Sequence, residues 1–282
     1  LAITITGIIY DAEKQGEADI SGTVGVFPMK STIAELLKPL EEAREVVIFS
    51  GAGLSADSGI ATFRDGATGL WDNIDPEEVA SIAGFENNPD KVWAWHEAMR
   101  ALFAEVQPNA GHDGISALEG LLPNARVTII TQNIDGLHQA SGSTRVFEIH
   151  GSALRVRCHH HCGFIELWQA GQLAPRQCPS CGARARPDVV WFGEALDEEV
   201  FSHAAEAAID ADIFITVGTS AIIQPAASLP VAAKEYGALI VEVNPHATPF
   251  SEHADYSIRA GASEFFPALC AVLLNGSGQP DR

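Results

Sequence analysis

The stretch GAGLSADSGIATFRD, Gly51 to Asp65, follows directly on the apolar run EVVIFS. Glycine occurs where a backbone turns sharply or lets another group approach closely. Gly51, Gly53 and Ala56 fit the G-x-G-x-x-G/A spacing, in which a tight turn presents the N-terminal amides of a helix to a pyrophosphate. Ordinary strand-to-helix turns also use small residues, so the spacing alone leaves a purely structural turn open.

Short runs rich in Val and Ile alternate with helical segments along the rest of the chain. Such runs are typical of parallel strands covered on both faces, and the alternation predicts an α/β fold with a Rossmann-like, doubly wound parallel sheet. Each run ends in small or polar residues, which is where these sheets bind ligands. The runs are REVVIFS, ARVTIITQN, TRVFEIHG, ADIFITVGTS and ALIVEVNP.

Two stretches interrupt this alternation and predict a smaller, zinc-binding and helical domain beside the sheet. One follows the glycine-rich stretch, and the other contains four cysteines. The predicted boundaries are 1–28 for an N-terminal extension, 29–64, 108–153 and 188–275 for the Rossmann-like domain, 65–107 for a cofactor loop and helical insertion, 154–187 for the zinc-binding module and 276–282 for a C-terminal tail.

A Rossmann dehydrogenase has an Asp or Glu at the end of its second strand, about 20 residues after the glycines. This chain has GLWDNIDPEEVAS in that region, a poor strand in which Asp72 and Asp75 lie in turn-like surroundings. The glycine spacing is present, but the acidic residue at the end of a second strand is not. This combination argues against a dehydrogenase. Any dinucleotide bound here is therefore used in another reaction.

The composition disfavours several classes of partner. The 282 residues are 46% hydrophobic, and 37 acidic against 17 basic residues give a net charge of −20. This charge disfavours nucleic acids and anionic membranes, and it is compatible with lysine-bearing protein segments or with solubility alone. No run approaches the roughly 18 apolar residues of a membrane span, and the first residues lack the charged region and cleavage site of a signal peptide. We predict a cytoplasmic protein.

Four of the five cysteines have the spacing of a metal site. Cys158-x3-Cys162 and Cys178-x2-Cys181 supply two pairs of thiolates, the ligand set of a closed structural zinc knuckle. The first pair departs from the commoner x2 spacing, and Cys158-x2-His161 would let His161 replace Cys162. We favour the four cysteines, although tetrahedral sulfur ligation also fits iron.

Several motifs, taken in order, resemble the sirtuins, which are NAD-dependent protein deacylases. They are GAGLSADSGIATFRD, TQNIDGLHQ, EIHG, the four-cysteine module, PDVVWFGE, VGTS and VNP, and the likeness covers roughly residues 30–275. Several independent motifs in one order are far more specific than any single motif. The resemblance implies NAD as co-substrate, structural zinc, and acyl-lysine proteins or peptides as partners. A monomer is the favoured oligomeric state.

The resemblance also implies an NAD site in which glycines admit the pyrophosphate while hydroxyl and amide groups bind the ribose and the nicotinamide. Its residues are Gly51, Ala52, Gly53, Ser55, Ile60, Phe63, Arg64, Gln132, Asn133, Asp135, Gly218, Thr219, Ser220, Asn244 and Ala262.

His150, at the end of the run FEIHG, is the candidate catalytic base. A neutral imidazole with a pKa of about 6.5 can accept a proton from a sugar hydroxyl. The resemblance places His150 at the family's catalytic histidine, and it places Asn133 and Asp135 in the pocket that expels nicotinamide. His112 and His138 are the rival histidines, which we interpret as structural.

The segment PDVVWFGE is implied to pair with the substrate peptide by strand addition. Val190 and Phe192 would line the acyl-lysine tunnel, and Trp191, Gly193 and Glu194 belong to the same substrate segment. A buried structural strand is a compatible alternative.

Residues 96 and 99 predict the acyl preference. A sirtuin branch that removes acidic acyl groups has Tyr and Arg at these positions, where this chain has His96 and Met99. Met99 cannot pair with a carboxylate, whereas its thioether suits an apolar chain. His96 would donate one hydrogen bond or, if protonated, attract an anion weakly, and Arg100 lies one position away. The interpretation that both are ordinary core residues stays open.

The implied reaction transfers the acyl group of lysine to NAD through an alkylimidate, giving nicotinamide, O-acyl-ADP-ribose and free lysine, with neutral acyl groups favoured. A mono-ADP-ribosyltransferase would use the same NAD site with a different acceptor. A non-catalytic NAD-sensing module would need a degraded pocket, whereas Asn133, Asp135 and His150 are all present.

Overall fold

The computed structural model describes residues 28–61, 74–168 and 171–276. Nine strands occur in this part of the chain: β1 Glu45–Ser50, β2 Arg126–Thr131, β3 Val146–Glu148, β4 Gly151–Cys158, β5 Ile165–Leu167, β6 Ala185–Val189, β7 Ile213–Val217, β8 Leu239–Val243 and β9 Tyr256–Ile258.

The same residues contain nine α-helices, most of which lie between strands. They are α1 Met29–Glu42, α2 Pro76–Val79, α3 Ile82–Asn87, α4 Pro89–Glu105, α5 Ala110–Leu121, α6 Leu137–Ala140, α7 Glu198–Asp210, α8 Ser228–Glu235 and α9 Ala262–Gly276.

The larger sheet has six strands in the order β3-β2-β1-β7-β8-β9, and every neighbouring pair is parallel. The run EVVIFS of β1 is buried throughout because helices cover both faces of the sheet. Val46 and Ile48 pack among residues of α1, α5 and α9. Val47 and Phe49 pack on the other face, among residues of α7 and α8. The predicted doubly wound parallel sheet is confirmed.

A smaller unit stands beside this sheet. It consists of α2, α3 and α4 together with an antiparallel sheet in the order β5-β4-β6. Its apolar core is separate from the two apolar cores on the faces of the large sheet. Trp93 and Trp168 meet edge to face at 5.3 Å in this core. Its helices and strands lie within residues 76–105 and 151–189, which overlap the two stretches that interrupt the strand–helix alternation.

The glycine-rich stretch does not begin an α-helix within the described residues. The glycine-rich stretch leads into two 3-10 turns, Ala52–Leu54 and Ala56–Ser58, and not into a helix whose N-terminus faces a ligand. As the sequence predicts, no strand lies between β1 and β2 within the described residues.

No helix in the described part of the chain has the length and apolar character needed to cross a membrane. Residues 1–27 of the predicted N-terminal extension 1–28 and residues 277–282 of the predicted C-terminal tail lie outside the described residues, as do Phe63, Arg64 and Asp72.

Candidate active site

The ends of β1 and β7 meet in a close contact between two backbones. Gly53 N donates to Gly218 O at 2.8 Å, and Gly51 N donates to Val217 O at 3.1 Å. A Cβ on Gly53 would lie 2.8 Å from the Cα and carbonyl oxygen of Gly218, and one on Gly51 would lie 2.8 Å from Cβ of Thr219. Glycine is therefore required at positions 51 and 53 for this contact between loops. The requirement does not depend on whether a ligand binds there.

A hydrogen-bonded relay joins this loop to the end of β2. Asn133 Nδ2 donates to Ser55 Oγ and to Gly51 O, each at 3.1 Å, and Ser55 Oγ donates to Asp135 Oδ2 at 2.7 Å. Burial raises the pKa of Asp135, while the bonds from Leu137 N and Ser55 oppose that rise. The two predicted nicotinamide-pocket residues are thus neighbours in a rigid network.

A second set of contacts reaches across to β7 and β8. Gln132 Nε2 donates to Thr219 Oγ1 at 2.8 Å, and Asn244 Nδ2 donates to Thr219 O at 3.1 Å. The predicted NAD residues at the ends of β1, β2, β7 and β8 therefore lie along one edge of the parallel sheet, where such folds bind ligands. Ala52, Ile60 and Ser220 lie in the same loops and are partly exposed, while Ala262 begins α9 and is buried.

His150 lies in the turn between β3 and β4. Its Nδ1 forms a 2.9 Å hydrogen bond with Gln132 O, and because a carbonyl only accepts, Nδ1 carries the proton. Burial lowers the pKa of His150, and the bond to Gln132 partly opposes that shift. The neutral ring then has its lone pair on Nε2, to which no residue in the described ranges hydrogen-bonds. This is the protonation state that a general base requires.

The rival histidines are buried within the fold. His138 Nε2 hydrogen-bonds Ser50 Oγ at 2.8 Å, and His112 belongs to the capping box that begins α5. Their rings meet edge to face at 5.2 Å. Burial lowers the pKa of His112 to about 4 and that of His138 to about 3. These contacts agree with a structural role for both.

The predicted substrate segment is held by a buried ion pair. Arg186, 1% exposed, binds both carboxylate oxygens of Glu194 at 2.8 Å and lies 3.4 Å above the ring of Trp191. Glu194 also accepts from Trp191 N at 3.0 Å. Glu194 and Trp191 are thus internal supports of the turn, whereas Phe192 is exposed and Val190 and Gly193 are partly or fully exposed. Sequence reasoning did not identify Arg186, although it directly precedes PDVVWFGE.

His96 and Met99 lie in the core of the smaller unit. His96 is 1% exposed, and its Nε2 accepts from Trp191 Nε1 at 3.2 Å. Burial and, to a lesser degree, the charge of Arg186 lower its pKa to about 3. The suggestion that a protonated His96 attracts an anion is therefore wrong. Arg100 lies 4.0 Å above the ring of Trp168 and donates to Gln172 O at 3.5 Å, so its guanidinium is already engaged.

The four cysteines form one cluster whose sulfur atoms all lie within 4.8 Å of one another. Cys158 and Cys181 sulfurs are 3.5 Å apart, as are those of Cys162 and Cys178. A tetrahedron with Zn–S bonds of about 2.3 Å has edges of about 3.8 Å, so this donor set fits zinc. His161 is outside the cluster, because its Nδ1 binds Arg157 Nη2 at 2.6 Å.

Asn109 is a site residue that sequence reasoning missed. Its Oδ1 accepts from Gly111 N at 2.9 Å and caps α5, while its Nδ2 donates to Leu54 O at 2.8 Å and Ser58 Oγ at 3.0 Å. Asn109 therefore fixes the glycine-rich loop to α5. The sequence feature that could have identified Asn109 is its position directly before a helical run, where an N-cap residue is expected.

The parallel sheet has a candidate dinucleotide site at its carboxyl edge, with the ring of His150 beside it. The four cysteine sulfurs form a separate cluster in the smaller unit. The Sir2 family description matches residues 51–225. The NAD-dependent protein deacylase of Corynebacterium glutamicum is 42% identical over 254 residues, 87% of this chain and 97% of that protein. The chain belongs to the Sir2 family, the sirtuins.

Solved structures agree. A Sir2 homologue in complex with NAD is 41% identical, with a TM-score of 0.78 over 86% of this chain and 94% of that one. A Sir2 structure with a myristoylated histone peptide is 31% identical, with a TM-score of 0.69 over 89% of this chain and 100% of that one.

Proposed function

We propose that the chain is an NAD-dependent protein-lysine deacylase with His150 as its general base. The observation that supports this proposal most directly is the tautomer of His150. Its Nδ1 carries a proton and donates it to Gln132 O, which leaves the lone pair on Nε2. The acyl oxygen of the substrate displaces nicotinamide at C1′ of the ribose, and Nε2 takes the proton of a ribose hydroxyl that attacks the acyl carbon. Hydrolysis releases lysine and O-acyl-ADP-ribose.

The relay of Asn133, Ser55 and Asp135 supports the expulsion of nicotinamide at this site. Its donors and acceptors are held in place by hydrogen bonds of 2.7 and 3.1 Å to one another. Groups that are already oriented do not have to be reordered when NAD binds, so little of the binding free energy is spent on ordering them. Thr219 and Asn244 supply hydroxyl and amide groups for the rest of NAD. The sulfur cluster holds zinc in a closed site that contributes to folding, and four thiolates are retained in a reducing compartment such as the cytoplasm.

The acyl preference we propose is for neutral groups. His96 is neutral, Met99 is apolar, and the guanidinium of Arg100 is stacked on Trp168. The two cations of α4 are engaged elsewhere, Lys91 with Glu78 and Arg100 with the ring of Trp168. Neither is therefore placed to pair with the carboxylate of a succinyl group, and a buried unpaired carboxylate is costly.

Mass spectrometry of matched acetyl-lysine and succinyl-lysine peptides, incubated with NAD, tests both statements. We expect free lysine and O-acetyl-ADP-ribose in equal amounts, with succinyl removal at least about 10-fold slower. Peptide without NAD is the control. An acceptor that carries ADP-ribose while the acyl-lysine persists would overturn the deacylase proposal. Faster desuccinylation than deacetylation would overturn the acyl preference alone.

A further inference from the structure

The catalytic turn connects the two units of the protein. β3 ends at Glu148 in the large sheet, and β4 begins at Gly151 in the small one. Main-chain bonds fix both sides of the turn: Ile149 N donates to Thr131 O at 3.1 Å, and Val190 N donates to His150 O at 2.9 Å. His150 therefore lies where the backbones of the two units meet.

One side chain links both units across the turn. Arg155 Nη1 donates to Glu148 Oε2 at 2.5 Å, and its Nε donates to Asp188 Oδ2 at 2.7 Å. Glu148 is two residues before His150 in the large sheet, whereas Asp188 is on β6 in the small one. The two carboxylate side chains are 8% and 7% exposed, and that of Arg155 is 30% exposed. Nearby carboxylates raise the pKa of Arg155 despite its burial, so it stays charged.

An irregularity in the small sheet gives Arg155 this reach. Ser152 pairs with Asp188 and Val156 pairs with Pro187, so residues 153–155 of β4 have no counterpart on β6. Such irregularities bend a strand and redirect its side chains, and they are common beside active sites. Gly151 makes room for the bend: its φ is +76°, and a Cβ there would lie 2.1 Å from Asp188 O.

We infer that Arg155 is a positioning residue for His150, because it holds Glu148 and Asp188 together and thereby sets the angle between the catalytic turn and the small sheet. The inference rests on the proposed role of His150 as the base. Guanidinium suits this task, since its planar fork binds two carboxylates from fixed directions, whereas the ammonium of lysine is a single point charge. Ion pairs of this kind add little net stability, because the cost of desolvating the charges offsets their attraction.

Arg157 provides a matched control on the same strand. Its Nη1 lies 3.5 Å from Asp188 Oδ1, and its Nη2 donates to Nδ1 of His161, between Cys158 and Cys162 in the chain. It thus shares one carboxylate with Arg155 and has the same charge, but it does not contact Glu148. A change at Arg157 alters the charge near Asp188 without opening the link to the large sheet.

Steady-state kinetics on the full chain, with NAD and an acetyl-lysine peptide, test the inference. We expect Arg155→Met to lower kcat about 10- to 100-fold, as misplacement of a catalytic group by about 1 Å does, with KM for NAD within about threefold. Arg155→Lys should recover part of the loss, and Arg157→Met should stay within about threefold of the unmodified kcat. Glu148→Gln should add little to Arg155→Met, because both changes open the same link.

The NMR signal of the His150 Hδ1 proton, recorded without substrate, provides a second readout. It should shift or broaden in Arg155→Met and remain in Arg157→Met, because only the first change loosens the turn. An unchanged signal in Arg155→Met, or equal losses of kcat in the two variants, would overturn the inference. If the unmodified protein deacylates no peptide, the proposed function fails, and the NMR comparison still decides the role of Arg155.

Discussion

His150 illustrates how one hydrogen bond determines the chemistry of a side chain. A carbonyl at 2.9 Å from Nδ1 fixes the tautomer, and burial keeps the ring neutral by lowering its pKa. The sequence alone indicates a histidine at the end of a strand beside a glycine. It does not indicate the partner, because Gln132 lies eighteen residues earlier in the chain and reaches His150 only through the pairing of β2 with β3.

We expect His150→Ala to lower turnover by at least about 100-fold, which is typical when a general base is removed. NAD should still bind, since the relay at the ends of β1 and β2 does not include His150. Peptide turnover measures the first effect, and calorimetric titration with NAD measures the second. Turnover near that of the unmodified protein, in a variant with an unchanged circular dichroism spectrum, would refute the assignment.

The glycine loop forms an element whose geometry depends on a contact between backbones. We expect Gly53→Ala to destabilise the protein by about 1–3 kcal/mol, because the added methyl group would meet the backbone of Gly218 at 2.8 Å. NAD binding should weaken with it. Urea unfolding and NAD titration measure the two effects.

Gly120 offers the control for that prediction. It lies in helix α5, and nothing lies within 4 Å of the position of its Cβ. Gly120→Ala should therefore leave stability unchanged or raise it by about 0.5–1 kcal/mol. If Gly53→Ala were equally harmless, the loops would not need their close approach.

The cysteine knuckle is an element that we expect to contribute to folding and not to the chemical step. Cys162→Ala should lose the metal, measured by atomic emission, while His161→Ala should retain it. Cys178→Ser should lower Tm, solubility and activity together, because metal affinity is part of the folding free energy of such sites. Metal-free protein that kept its Tm but lost only the chemical step would contradict this role.

The strands that carry the site were predictable because their apolar runs are nearly continuous. β1, β2, β7 and β8 were identified together with the polar residues at their ends. The short edge strand β9, with Ser257 at its centre, has no such run and was missed. The same limit applies to His96: helical spacing relates it to Met99 but does not decide which face of α4 is buried. Arg155 could not be assigned from sequence, because its reach depends on an irregular register.

At the scale of the whole molecule, three buried imidazoles make stability depend on pH. The pKa values of His96, His112 and His138 are about 3, 4 and 3 in the folded protein, below the ordinary value of 6.5. Burial is the main cause in each case. The unfolded chain therefore binds more protons than the folded one once the pH falls below about 6.5. Stability is fully present above that pH and is lost as the pH falls toward 3–4.

We expect the three histidines together to lower the free energy of urea unfolding by up to about 4 kcal/mol per pH unit between about pH 6 and 4.5, since each extra proton contributes about 1.4 kcal/mol per unit. The raised pKa of Asp135 acts in the opposite direction and reduces the measured slope. His96→Gln should reduce that slope by about one third, because an amide oxygen can accept from Trp191 Nε1 without titrating. His246→Gln is the control, since His246 is exposed on the loop after β8. If His96→Gln left the slope unchanged, protonation of His96 would have no part in acid unfolding. The pH dependence of stability would then have to come from other groups.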